Sequence, residues 1–134
     1  MYMLDTNICI YILNKRPEVY IKKLEKIDQK NHIIAISSIV LAELQYGVAN
    51  SIQKEQNQIN LDSLLSKLEV IDYSASCALF YGNIRAALKK DGINIGGNDL
   101  LIAGHAVCEN AILVTNNESE FNRIKELKLE NWKC

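Results

Sequence analysis

The chain alternates between short apolar runs and longer segments in which apolar residues recur every three or four positions. Short runs that are apolar throughout are typical of strands buried on both faces of a parallel sheet. Four strands are predicted on this basis, at 2–4, 33–36, 69–71 and 112–115, and a weak edge strand follows near the C-terminus. Because helical segments separate the strands, the sequence predicts an α/β fold with a mainly parallel central sheet flanked by helices.

The predicted helices are bounded by residues that favour helix ends. The first helix, 7–13, should stop before Pro17, because the residues just before a proline disfavour helical backbone. Pro17 then begins a second helix, and Ser37 or Ser38 caps a third that runs to about residue 51. Further helices are predicted at 61–68, at 74–90, from about residue 99, and at 120–127. The polar stretch 51–60 is either a loop or an exposed helical arm.

Composition indicates one globular domain, residues 1–134, because 49% of the residues are hydrophobic and 23% are charged. The net charge is −1, so the basic excess that marks many nucleic-acid binders is missing. A phosphate-binding surface must therefore be a local patch or be created by bound cations. The four cysteines are far apart, and three of them, Cys9, Cys77 and Cys108, have apolar neighbours, which favours reduced, buried thiols. With no leader or membrane span predicted, we expect a soluble cytoplasmic protein.

Three acidic residues at the edges of apolar runs are the main candidates for chemistry: Asp5, Glu43 and Asp99. Asp5 ends a predicted strand, as Ser37 and Thr115 do, and the carboxyl ends of parallel strands meet at one crevice. Partly desolvated carboxylates repel one another unless a cation lies between them. Oxygen ligands without a Cys/His cluster favour Mg²⁺ or Mn²⁺, which suits phosphoryl chemistry.

Each candidate also has a plainer interpretation. Asp5 and Asp99 could serve only as helix caps, and Glu43 could be a solvated residue beside its apolar stripe, although Gly47 leaves room next to it. His105 lies about 9 Å along the helix from Asp99, which favours a core or surface histidine over a shared site. Arg85 and Lys89 are four residues apart and either bind substrate phosphates or form a solvated face.

Four segments of the chain resemble PIN-domain nucleases: MLDTNI at 3–8, SSIVLAEL at 37–44, IGGNDLLIA at 95–103 and VTNN at 114–117. Two more, YGNIR at 81–85 and LKLENW at 127–132, narrow the resemblance to the VapC toxins of bacterial type II toxin–antitoxin pairs. The similarity covers essentially the whole chain in order.

This resemblance implies a three-layer fold and a Mg²⁺- or Mn²⁺-dependent endoribonuclease that stops translation by hydrolysing RNA, with tRNA as the expected substrate. It implies a VapB antitoxin whose C-terminal tail enters the active site. It also implies a toxin homodimer, and contact with DNA only through the antitoxin.

The resemblance also assigns residues. Asp5, Glu43 and Asp99 fall on the family's catalytic, metal-binding acids. Where many PIN proteins have an aspartate, this chain has Asn117, so Glu120 is the expected fourth acid. The residues expected to orient these carboxylates are Thr6, Asn7, Ser38, Thr115 and Asn117.

Two other functions are compatible with an α/β chain of this kind. A receiver-type phosphoacceptor domain needs an acidic pair after the first strand and a lysine after a late one, and Asp5 and Thr115 lack these neighbours. A catalytically idle module that only binds an antitoxin remains open. Whether the chain is a nuclease toxin or an idle module, we expect the antitoxin to dock on helices within 38–68. The apolar positions predicted to be exposed there are Leu61, Leu64 and Leu65.

Overall fold

Five parallel strands form the centre of the structure, a computed structural model that describes residues 1–133. The strands are β1 (Tyr2–Leu4), β2 (Ile34–Ser37), β3 (Glu69–Ile71), β4 (Ile112–Val114) and β5 (Lys128–Glu130). Their order in the sheet is β3-β2-β1-β4-β5, and every neighbouring pair is parallel. The prediction of a mainly parallel sheet is confirmed, and so is the weak C-terminal edge strand.

The central strand β1 marks the point where the chain reverses direction across the sheet. Tyr2 pairs with Ile34 of β2 on one side and with Ile112 of β4 on the other. Parallel sheets bind ligands outside the carboxyl ends of their strands at such a switch point. The residues that follow β1 and β4 are Asp5 and Thr115, so the topology directs both to one crevice.

Seven helices flank the sheet within residues 1–133. They are α1 (Thr6–Asn14), α2 (Glu18–Gln29), α3 (Ser38–Ala49), α4 (Lys54–Leu65), α5 (Ala75–Lys90), α6 (Gly97–Cys108) and α7 (Glu118–Phe121). Two of the helices are capped at their N-termini by side chains. Asp5 caps α1, and Ser37 caps α3 by accepting a hydrogen bond from the Ile39 N–H at 3.1 Å. The polar stretch 51–60 is helical from Lys54 onward, which resolves the alternative in favour of a helix.

Two predictions about local structure are wrong. The helix predicted at 120–127 ends at Phe121. The chain then continues in successive turns, which bring Ile124 and Leu127 to the buried side at the same three-residue spacing without a helix. The exposure predicted for the docking positions on α4 is also wrong, since Leu65 is partly buried and Leu61 and Leu64 are only 0% and 6% exposed. These two leucines belong to the core because α4 packs against α1 and α3.

The apolar side chains that are exposed near α3 and α4 are different ones: Tyr46, Ile52 and Ile59. Cys9 and Cys77 are fully buried, as predicted, whereas Cys108 is partly exposed. Within residues 1–133, no helix is both long enough and apolar enough to cross a bilayer.

Candidate active site

Asp5 lies at the bottom of the crevice, directly after β1. Its side chain is 7% exposed, and its Oδ1 accepts a hydrogen bond of 3.0 Å from the Ile8 N–H at the start of α1. Burial raises the pKa of Asp5, while hydrogen bonds from the Thr115 side chain and from backbone N–H groups oppose that rise. Asp5 therefore acts as the predicted helix cap and also forms part of a cluster of acids.

Glu43 approaches Asp5 from α3. Thr6, the first residue of α1, donates a hydrogen bond of 2.7 Å from its Oγ1 to Glu43 Oε1. The Glu43 charge is near enough to raise the pKa values of both Asp5 and Asp99. Glu43 is therefore not a freely solvated residue, which was the plainer interpretation, because Thr6 of α1 binds its carboxylate across the crevice.

Asp99 and Glu120 complete the cluster. Asp99 is in the first turn of α6, and its pKa is raised to about 6, first by burial and next by the charge of Glu120 and a hydrogen bond with it. Asp5 and Glu43 add smaller contributions of the same sign. The fold thus gathers four acids, taken from four separate segments of the chain, into one electrostatic unit.

Asn117 and Gly96 hold Glu120 in place. The Asn117 side-chain amide donates to Glu120 Oε2 at 2.5 Å, and the Gly96 N–H donates to Oε1 at 3.3 Å. Asn117 is itself fixed by its backbone N–H, which donates to Thr115 Oγ1 at 3.0 Å. Asn117, which stands where the resemblance expects an aspartate, therefore contacts Glu120, the carboxylate predicted to take its place.

Comparison with known proteins identifies the family. The family model described as the PIN domain matches residues 2–127. Ribonuclease VapC2 of Rickettsia felis is 61% identical over 132 residues, which are 98% of this chain and 98% of the relative. The chain belongs to the PIN-domain family of VapC ribonucleases.

Two further matches extend this result. The tRNA(fMet)-specific endonuclease VapC of Salmonella typhimurium is 40% identical over 131 residues, covering 98% of this chain and 97% of the relative. The crystal structure of VapBC2 from Rickettsia felis bound to a promoter DNA fragment matches with a TM-score of 0.93 at 61% identity, over 98% of both chains. The predicted family and fold are therefore confirmed.

The remaining predicted residues are placed in different surroundings. Asn7 contacts Asp5 through its backbone N–H. Ser38 Oγ accepts a hydrogen bond of 3.0 Å from the N–H of Tyr73, which follows β3. Arg85 and Lys89 are both exposed on α5, and Arg85 donates to the Tyr81 hydroxyl at 2.8 Å.

Ser37 and His105 lie away from the acids and contact each other. Both side chains are completely buried, and His105 Nδ1 lies 2.7 Å from Ser37 Oγ. Of the two alternatives for His105, the core position is the observed one. Sequence reasoning missed this pair because 68 residues separate its members, and because the position of Ser37 at a strand end predicted only that it would cap a helix and face the crevice.

The acidic cluster fits a hard divalent cation. Within residues 1–133, the side-chain ion pairs join Lys22 to Glu18 and His105 to Glu109, so no lysine or arginine neutralises the four acids. Like charges that raise one another's pKa values favour either protons or a cation between them. A set of carboxylate oxygens with no soft ligand among them is the donor set preferred by Mg²⁺ and Mn²⁺.

Proposed function

We propose that this chain is the toxin of a type II toxin–antitoxin pair and that it hydrolyses RNA phosphodiester bonds in the presence of Mg²⁺ or Mn²⁺. The single observation that carries the proposal is that the charges of Glu43 and Glu120 act on the half-buried or buried carboxyls of Asp5 and Asp99, while no lysine or arginine within residues 1–133 forms an ion pair with these four acids. The family membership supports the same chemistry, because relatives over the whole length are named as ribonucleases.

Four carboxylates would hold the metal: Asp5, Glu43, Asp99 and Glu120. A bound Mg²⁺ or Mn²⁺ supplies a water of lowered pKa and positive charge next to the scissile phosphate. Thr6 fixes the Glu43 carboxylate by hydrogen bonding, so this ligand needs little reorganisation when the metal or substrate enters. Asn117 has the same role for Glu120.

Neither His32 nor His105, both within residues 1–133, is positioned to act as the general base in this crevice. His105 is buried against Ser37, and the ring of His32 contacts Tyr2 at the other end of β1. Proton removal from the attacking water therefore depends on the metal and on the carboxylates.

We further propose a tRNA substrate and a VapB-type antitoxin, and we expect the protein to act in the cytoplasm, where tRNA is found. A relative 40% identical to this chain is named as specific for tRNA(fMet). Matching structures contain VapBC assemblies, two of them bound to DNA, so contact with promoter DNA would come through the antitoxin. A toxin homodimer stays a prediction.

Cleavage of purified tRNA tests the proposed reaction. We expect cleavage with added Mg²⁺ or Mn²⁺ and none in excess chelator. Asp99→Asn should lower the rate at least a hundredfold, because it removes one metal-binding charge while keeping the side-chain shape. Asp62→Asn, a substitution at an exposed aspartate of α4, is the matched control and should keep full activity.

The same assay separates the nuclease from the idle binding module. A chain that binds the antitoxin but leaves RNA intact at every metal concentration would establish the idle module. Cleavage that continues at full rate in chelator would show that the acids do not act through a metal.

A further inference from the structure

A second cluster of ligand-type side chains lies away from the acidic crevice, where the end of α6 packs against the start of α5. His105 is at its centre, with a side chain that is 0% exposed. Its Nδ1 is hydrogen-bonded to Ser37, but its Nε2 is buried and has no hydrogen-bond partner in residues 1–133. Buried polar atoms are almost always paired, so an imidazole nitrogen in this state needs an explanation.

The atoms that face this nitrogen are metal ligands. One ligand atom each from Cys77, His105 and Glu109 lie within 4.8 Å of one another. His105 Nε2 is 3.9 Å from Glu109 Oε1, which is too long for a hydrogen bond. The Cys108 thiol is a neighbour of Cys77, but it is not one of the three ligand atoms that lie within 4.8 Å of one another.

We propose that Cys77, His105 and Glu109 bind a zinc-like transition-metal ion as its three protein ligands, with the fourth position left to solvent. Zn²⁺ binds thiolate sulfur at about 2.3 Å and imidazole nitrogen at about 2.0–2.1 Å, which places neighbouring ligands of a tetrahedral site roughly 3.3–3.8 Å apart. The observed separation of His105 and Glu109 is close to this range, so small side-chain rotations would suffice. One thiolate, one imidazole and one carboxylate are each established types of zinc ligand.

The surroundings of His105 match those of a metal-bound histidine. Such a histidine usually donates its other ring N–H to a fixed acceptor, which places the free lone pair on the ligating nitrogen. Ser37 Oγ is in position to accept from Nδ1, and it is itself fixed by the hydrogen bond from Ile39 N–H. The Tyr73 ring packs edge-on against the imidazole with a centroid separation of 5.3 Å, which restricts its rotation.

The cluster is chemically distinct from the acidic crevice. Asp99 is in the first turn of α6, whereas His105 and Cys108 are in its last turn. The crevice offers only carboxylates, but this cluster offers sulfur and nitrogen, so the two prefer different ions. Glu109 and Cys108 are partly exposed, which provides a route for an ion to reach the buried pair of Cys77 and His105.

Cobalt binding provides a direct test, because a thiolate bound to Co²⁺ gives a charge-transfer absorption that carboxylate ligands do not. The full-length chain, reduced and freed of metal, is titrated with Co²⁺ and then with Zn²⁺. We expect the band to saturate at one equivalent of Co²⁺ and to disappear when one equivalent of Zn²⁺ is added. Absence of a thiolate band at saturating Co²⁺ would overturn the proposal.

Matched variants locate the site. Cys77→Ala should abolish the band, whereas Cys9→Ala, which changes an equally buried cysteine in α1, should retain it. Glu109→Gln changes a partly exposed residue and should keep the fold, so it tests the site without risk of unfolding. We expect it to weaken Zn²⁺ binding at least tenfold, while Glu126→Gln leaves binding unchanged.

Two outcomes decide the remaining details. Cys108→Ser should keep the charge-transfer band at full intensity, because Cys108 is not an assigned ligand, and loss of the band in this variant would refute the assigned set. A band that survives in Cys77→Ala, or a Zn²⁺ affinity that is identical in Glu109→Gln, would refute the assigned ligands. None of these measurements uses RNA cleavage, so failure of the nuclease proposal would leave this test intact.

Discussion

Ionised Asp99 lowers the stability of the folded, metal-free protein, because it is partly buried and lies near other carboxylates. Burial and the neighbouring charge of Glu120 raise its pKa to about 6, above the value of 3.8 for an isolated aspartate. The folded state therefore binds this proton more tightly than the unfolded state does. The resulting contribution to stability is present below pH 4 and is lost as the pH rises through about 6.

We accordingly expect Asp99→Asn to stabilise the metal-free protein at pH 7.5. The gain should be about 1 kcal/mol once the partial solvent exposure of the group is taken into account. Thermal unfolding at several pH values checks this, and the difference between the two proteins should shrink as the pH falls from 6 to 4. A variant that is less stable than the parent at pH 7.5 without metal would show that Asp99 is not under like-charge repulsion. Added Mg²⁺ should raise the unfolding temperature of the parent more than that of Asp99→Asn.

The role of Glu120 as the fourth metal-binding acid stays a prediction, and its contacts in the structure define how to test it. Its charge acts on Asp99, and Asn117 and Gly96 hold both of its oxygens. Glu120→Gln should therefore raise the Mg²⁺ concentration needed for half-maximal cleavage at least tenfold, with little change in thermal stability. Glu118→Gln, two residues earlier and exposed, is the control. Identical metal titrations for Glu120→Gln and the parent would leave a site of three acids.

Single residues were predictable from sequence only where strand ends or family motifs placed them. Asp5 and Thr115 follow from the rule that parallel strands end at one crevice, and both are in it. Ser38 shows the limit of this reasoning, because its hydroxyl binds the Tyr73 N–H across 35 residues of chain. Nothing local to Ser38 indicates that contact, since it depends on how β3 and the following loop pack.

The sequence predicted which strands and helices exist better than it predicted where they end or which of their side chains are buried. Apolar runs identified β1, β2 and β4 because these strands are buried on both faces, and Pro17 correctly separated α1 from α2. The exposure of α4 was misjudged because its sequence is polar, with a stripe of only a few leucines. Those leucines enter the core, and such a narrow stripe gives little sign of which side a neighbouring helix will cover.

A cleft between α1, α3 and α4 leads to the acidic site. It has a volume of about 240 Å³, and its lining includes Ile10, Leu44, Gly47 and Glu43. A side chain at Gly47 would meet no atom within 4 Å, so the missing side chain leaves this cleft open, as its sequence position predicted. We propose that the antitoxin tail lies in this cleft.

Substitutions at Gly47 test that placement. Gly47→Ala should stabilise the protein by about 0.5–1 kcal/mol, because alanine favours a helix and the added methyl meets no neighbour. Gly47→Leu should fill the cleft and weaken antitoxin binding at least tenfold in a calorimetric titration. Since both variants favour the helix, the alanine variant controls for backbone effects. Equal antitoxin affinity for the two variants would place the tail elsewhere.

For the whole molecule, the alternation of strands and helices predicts a parallel sheet but not its strand order. The order β3-β2-β1-β4-β5 depends on the direction each connection takes, which hydrophobic pattern does not encode. That order is nevertheless what brings together acids that are more than ninety positions apart in the chain, such as Asp5 and Asp99. The resemblance to PIN domains supplied the tertiary arrangement that local patterns could not.

The overall charge of −1 gives RNA little electrostatic attraction to the molecule as a whole, so a local cationic patch must supply it. Arg85 and Lys89 are exposed on α5, which packs against the helix that carries Asp99. Replacing both with glutamine should weaken RNA binding and lower the slope of log affinity against log salt by about one to two, because each phosphate contact releases counterions. Binding is best measured with chelator present, so that cleavage and metal effects do not contribute.

The double replacement of Lys22 and Lys26 by glutamine is the matched control, because it changes the net charge by the same amount at two exposed positions, four residues apart, on α2. If Arg85 and Lys89 contact phosphates, only their variant should change the salt slope. If the two double variants lose affinity equally and keep the same slope, RNA responds to overall charge and α5 is not its binding surface. The comparison therefore separates a local contact from a property of the whole molecule.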